Sequence, residues 1–158
     1  MDEDFRKHLD LIQGVVNRLA GNSFSIKTWA IGLVTVLGSL AAKDGDPRMS
    51  CALILPAIAF WSLDAYYLRQ EQLYRKLYQK VLKNDPGAPR YSLDASKFDA
   101  EVDRLGKVAL SPTVCWLHLP ILVLVIGLIA YAFSVPRPSV KSLPPTTHQL
   151  GGATEAPK

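Results

Sequence analysis

The sequence predicts an all-α integral membrane protein with three transmembrane helices plus N-terminal and central cytoplasmic helices. Three observations predict it. Apolar residues make up 49% of the 158-residue chain and gather in blocks, and the mean hydropathy of +0.12 is high for a soluble domain of this length. Lys and Arg exceed Asp and Glu to give a net charge of +4, and most of them lie between the apolar blocks. The run 60–83, FWSLDAYYLRQEQLYRKLYQKVLK, passes from apolar to basic and aromatic with no Gly or Pro, as a span continuing into a cytoplasmic stalk would. The acidic start MDEDF lacks the apolar core of a secretory signal. No Lys/Arg run is dense enough to track a phosphate backbone, so membrane lipid is the expected partner and nucleic acid is not.

The elements follow in order. In residues 1–25, Phe5, Leu9, Ile12, Val16 and Leu19 recur at spacings of four and three, which predicts a cytoplasmic amphipathic helix stopping near Gly21 and Asn22. It can lie on the lipid surface or against the stalk, and His8 falls on its polar, solvated side. Residues 26–67 predict a transmembrane hairpin with spans at 26–42 and 49–67. The first is short and needs Ile26 and the Lys27 stem to reach across; the second contains Pro56.

Residues 68–111 predict a cytoplasmic helical segment. On the stalk, Tyr67, Glu71, Tyr74, Tyr78 and Val81 form one stripe flanked by Leu73 and Leu77, and Glu71 and Arg75 stand at i,i+4. Asn84-Asp85-Pro86-Gly87 predicts a turn. A second helix is expected near 96–110, with Ser96-x-x-Asp99 as a capping box and Phe98, Val102 and Leu105 as its stripe. Ser111 and Pro112 then open the third transmembrane helix, 112–135. The tail 136–158, rich in Pro, Thr and Gly, is expected to be disordered.

Basic residues crowd the segments 1–27 and 68–111 and are sparse in the KDGDPR connection, so the positive-inside rule predicts a cytoplasmic N-terminus and an extracytoplasmic C-terminus. Trp29, Trp61, Tyr66, Tyr67 and Trp116 fall near the cytoplasmic ends, where interfacial aromatics sit.

Few residues suggest chemistry. Asp64 lies about one turn inside the cytoplasmic end of the second span, where a carboxylate needs a partner. Lys27 enters the first span at the same level, which predicts a Lys27–Asp64 ion pair acting as a structural clasp; an ion or proton site is the alternative. His118 lies about one turn inside the third span. It is expected to bond a neighbouring backbone carbonyl, with a pore-lining role as the alternative, and Pro120 just beyond it predicts a local kink. Gly32 and Gly38 on the first span, and Tyr67, Tyr74 and Tyr78 on the stalk, are the candidates for helix contacts between subunits. Cys51 and Cys115 fall at opposite membrane faces, which excludes an intrachain disulfide. No dinucleotide, phosphate-loop, zinc-protease or nucleophile-elbow motif occurs, and no metal-ligand spacing, so no enzyme activity and no cofactor are expected. Three thin spans with little soluble core bury their small-residue faces most readily by assembling into a homo-oligomer.

The blocks GVVNRLAGNSFSIKTW, FWSLDAYYLRQEQLYRKLY, YSLDASKF and LSPTVCWLHLPILVLVIGL resemble the RipA family of octameric bacterial inner-membrane proteins. The likeness covers about residues 10–133, and its most specific part is Leu-Asp-Ala-Tyr-Tyr-Leu-Arg-Gln-Glu, 63–71. It departs from the family pattern at RLGK, 104–107, where an aromatic residue is expected. The resemblance implies a ring-like homo-octamer in the bacterial cytoplasmic membrane with no known enzymatic activity. In layout alone the chain also resembles small membrane effectors of bacterial anti-phage systems, such as the SLATT proteins and an octameric CRISPR accessory pore. Two function classes follow: a membrane scaffold or regulator whose cytoplasmic helices recruit a protein partner still to be identified, and, as the alternative, a gated pore or depolarising effector.

Overall fold

The computed structural model describes residues 3–44, 47–88 and 91–134. All its regular elements are helical: α1 (Glu3–Asp44), α2 (Pro47–Ala52), α3 (Ile54–Leu82), a 3-10 turn (Ser96–Glu101), α4 (Leu105–Ala109) and α5 (Pro112–Ser134). Three helical stretches are long and apolar enough to cross a membrane: one within α1, one formed by α2 and α3 together, and α5. The expected disorder of 136–158 concerns residues outside those described.

The largest correction is to α1. It does not stop at Gly21 and Asn22 but runs unbroken for 42 residues, so amphipathic helix and first span are one rod. An interior glycine costs about 1 kcal/mol relative to alanine. That is too little to end a helix whose buried face continues through it: Leu9, Ile12, Val16, Ser23, Ile26, Ala30, Val34 and Ala41 all point inward. The N-terminal part packs against the stalk rather than lying alone. Leu9 and Ile12 meet Leu73, Leu77 and Val81 of α3, together with Ala88, Ala95 and Phe98 from the following segment. His8 is correspondingly buried, not solvated. Its Nε2–H donates to the Ser92 carbonyl at 3.0 Å.

The second span is also built differently from expectation. Pro56 has no N–H for the Ala52 carbonyl, and its ring would press on that turn. The helix is therefore interrupted at Leu53, and Pro56 falls in the first turn of α3, where a missing N–H costs little. Leu53 keeps helical dihedrals (φ −65°, ψ −22°). From there α3 continues from the span into the stalk without a break, as the 60–83 run predicts.

Lys83 closes α3, and Asn84 follows at φ 51°. The Asp85 amide donates to Lys80 O and the Asn84 amide to Val81 O, 3.0 Å each, a Schellman closure with Asn in the left-handed position. Beyond it, the expected helix over 96–110 is not formed. The chain makes only a 3-10 turn, extended backbone around Val102 and Arg104, and the five-residue α4. The Ser96–Asp99 capping box is absent for two reasons. Asp94 accepts from the Ser96 amide (3.0 Å) and hydroxyl (2.5 Å), and Asp99 is drawn away by Arg69 at 2.7 Å.

α5 begins at Pro112, with the Ser111 carbonyl accepting from Val114 and Cys115. It remains helical through Pro120 to Ser134. Within the apolar layer, Val34, Ala41, Leu53, Ala57 and Val125 form a second core. Gly38 lets α5 approach α1 closely: a β-carbon there would sit 3.3 Å from Leu128 Cδ1.

Candidate functional site

One polar cluster joins all three long helices. Asp64 on α3 is completely buried. Its Oδ1 accepts from Lys27 Nζ at 2.6 Å and from Ser23 Oγ at 2.5 Å, both on α1. Its Oδ2 lies 3.1 Å from His118 Nε2 on α5. An ionised carboxylate only accepts, so Nε2 carries the proton of this bond. Lys27 Nζ also donates to Ser23 Oγ at 2.8 Å. Three donors on one buried carboxylate satisfy a group whose desolvation would otherwise be prohibitive.

Local helix geometry explains why these residues meet. Ser23 and Lys27 are one turn apart and share a face of α1. Trp61 and Asp64 stand at i,i+3 on α3. The Trp61 ring stacks on His118, with centroids 6.3 Å apart and planes within 4°. Its Nε1–H donates to the Ala109 carbonyl at 2.9 Å, which fixes the elbow before α5.

The Lys27–Asp64 ion pair is thus present, and His118, expected on a backbone carbonyl, instead bonds the same carboxylate. Ser23 and Trp61 were not foreseen as members, although their spacing to Lys27 and Asp64 is visible in the sequence. The remaining candidates lie elsewhere. Tyr74 and Tyr78 pack half-buried on the core between α1 and the stalk, so these two rings serve an intrachain contact. Tyr67 is half-buried and meets Tyr66 edge-on at 5.5 Å. Gly38 is used within the chain, Gly32 faces open space, and Pro120 is exposed on α5. Cys51 and Cys115 are free thiols. No group of three or more metal-ligating side chains gathers among the described residues.

A second set of charges straps the 85–103 segment to the stalk. Lys80 Nζ reaches Asp85 and Glu101, 3.1 Å each, and lies 5.6 Å from the Phe98 ring centroid. Arg69 donates to Asp99 and to the Asp103 carbonyl. The Gly87 amide and then the Lys80 ammonium hold the Asp85 carboxyl below its ordinary 3.8, and Asp85 and then Glu101 hold Lys80 above its ordinary 10.5. The two signs differ. The Asp85 contribution is present above about pH 3.8 and is lost as pH falls through its lower folded value. The Lys80 contribution is present below about pH 10.5 and is lost as pH rises through its higher folded value. In thermal unfolding across pH, wild type is expected to lose stability in strong alkali more steeply than Lys80→Met. Equal slopes would mean that this strap does not contribute.

Comparison with protein-family models, with curated proteins and with solved structures finds no match to this chain.

Proposed function

We propose that the chain is a non-enzymatic, multi-pass protein of the bacterial cytoplasmic membrane that assembles as a homo-oligomer, octameric like the family it resembles. Its cytoplasmic helices act as a scaffold or regulator. The N-terminus is cytoplasmic and the C-terminus extracytoplasmic on this reading, which rests on the distribution of Lys and Arg.

The observation that supports assembly is the outer face of α1. Gly21, Ser25, Thr28, Gly32, Thr35 and Ser39 recur at alternating spacings of four and three, and all six are exposed. The Ser25, Thr28, Thr35 and Ser39 hydroxyls donate to the carbonyls four residues back, at 3.0, 3.2, 2.7 and 2.7 Å. The face therefore offers a neighbour low side chains with satisfied donors. In lipid, helices associate by close packing of such small residues, because apolar surface gains nothing by leaving the acyl chains. The opposite face of α1 is occupied by α3 and α5, so a second copy has free access to this one.

The scaffold reading is favoured over a pore because Lys27 and His118 are both engaged by the buried Asp64 carboxylate inside the monomer. The pore retains one supporting observation: if the hydroxyl-bearing stripe lined the ring axis, it would supply a polar wall.

Gly32→Leu is the direct test, because a β-carbon at Gly32 meets nothing within 4 Å of its own chain. The variant is expected to keep its helicity and thermal midpoint while the oligomer fraction in native mass spectrometry falls at least about tenfold, the equivalent of about 1.4 kcal/mol. An unchanged oligomer mass would remove α1 as the interface. Ion flux from liposomes separates the two readings: none is expected of the scaffold, and conductance that disappears with Gly32→Leu would establish the pore.

A further inference from the structure

We propose that the cluster around Asp64 is a proton-operated latch in which His118 and Lys27 compete for one carboxylate. The observations are charge, geometry and unequal burial. With Asp64 ionised, Lys27 charged and His118 neutral, the cluster balances at zero. Adding a proton at His118 Nδ1 leaves Nε2–H on Asp64 and places two cations around one anion. A low-dielectric site does not tolerate that excess.

One member can leave. The Lys27 side chain is 24% exposed, whereas those of Asp64 and His118 are 0% and 1% exposed. Lys27 also has a long stem that can carry its ammonium toward the headgroups. His118 is held by its stack on Trp61, which is itself tied to Ala109. Protonation therefore exchanges one ion pair for another: His118–Asp64 tightens α5 on α3, and Lys27 releases α1.

The charged and titratable groups facing His118 are Asp64 from α3 and Lys27, through that carboxylate, from α1. On α5 itself the neighbouring Cys115 thiol is directed to the Ala109 carbonyl. The stripe proposed as the subunit contact lies on the same helix as Lys27, so release of α1 would reorient it. That consequence rests on the assembly reading; the latch itself does not.

Spin labels at Phe24→Cys and Ser62→Cys, both exposed positions, report the α1–α3 separation. They are placed in full-length Cys51→Ser, Cys115→Ser protein, diluted with unlabelled subunits in nanodiscs. The expected result is a longer or broader distance distribution at about pH 5 than at about pH 8, reversible on return. It should be absent in His118→Gln and present at both pH values in Lys27→Met. No acid response in the otherwise unaltered chain, or the same response in His118→Gln, would overturn the latch. Native mass spectrometry of the same nanodiscs at about pH 8 reads assembly separately: a monomer there overturns the oligomer reading and leaves the latch result intact.

Discussion

Lys27→Met is expected to destabilise the three-span unit by about 3–5 kcal/mol, the range for removing one partner of a buried pair. The effect should exceed that of Asp64→Asn. Removing the lysine strands a carboxylate that is wholly buried, whereas removing the carboxylate leaves an ammonium already 24% exposed and able to reach water. Chemical unfolding in micelles measures both. Equal losses, or a loss below about 1 kcal/mol for Lys27→Met, would place the pair in the class of exposed bridges. Exchanging the two residues, Lys27→Asp with Asp64→Lys, should recover only part of the loss. Ser23 and His118 also donate to the carboxylate at 64, and in the exchanged protein each would have to turn from donor to acceptor to serve an ammonium there.

The second large effect is expected at the other end of the rod. Leu77 is fully buried between the stalk and the N-terminal part of α1, within a core that includes Leu9, Ile12 and Val81. Leu77→Ala should cost about 2–5 kcal/mol, the sum of lost transfer energy and the cavity left behind. The loss should be local. Amide exchange is expected to rise in residues 5–16 and around Ala88, Ala95 and Phe98, which close that core, and to change little around Val34 and Val125, which belong to the other one. A uniform rise along the chain would instead show that the two cores unfold together.

These two sites differ in how far the sequence exposes them. The Lys27–Asp64 pair is readable because charged residues inside apolar runs have few ways to be stabilised, and these two stand at one depth. His118 is harder to assign. Its depth is visible, but which side of α5 turns toward α3 depends on how the helices are rotated, and a nearly uniform apolar helix carries little signal for rotation. The exposed α1 stripe is only partly legible. Gly32 and Gly38 are both small residues in the same span, yet Gly38 receives Leu128 while Gly32 faces outward. Without knowing where α5 sits, the two cannot be told apart.

Helix boundaries divide along the same line. The end of α3 at Asn84 to Gly87 is local chemistry, with a left-handed Asn, a Pro and a Gly in succession, and it is visible in the sequence. The continuity of α1 through Gly21 is not, because local propensity argues for a stop there. Only burial of one face against α3 and α5, from Leu9 to Ala41, keeps the helix going. The segment 96–110 is the reverse case. Its capping box and apolar stripe favour a helix, but Arg69 takes Asp99, Asp94 takes Ser96, and Phe98 is drawn into the core beside Leu77.

By itself, the sequence determined the all-helical class, three segments able to cross a membrane, the span that continues into the stalk and the need for a partner to Asp64. All of these follow from composition and periodicity, which act within one segment. Only the tertiary structure decided that α1 is a single rod, that Tyr74 and Tyr78 face their own chain, and that His118 and Ser23 complete the ring of donors around Asp64. The physical reason is that each depends on the rotation of one helix against another. That rotation is set by packing among residues as far apart as 23, 64 and 118, not by the sequence near any one of them.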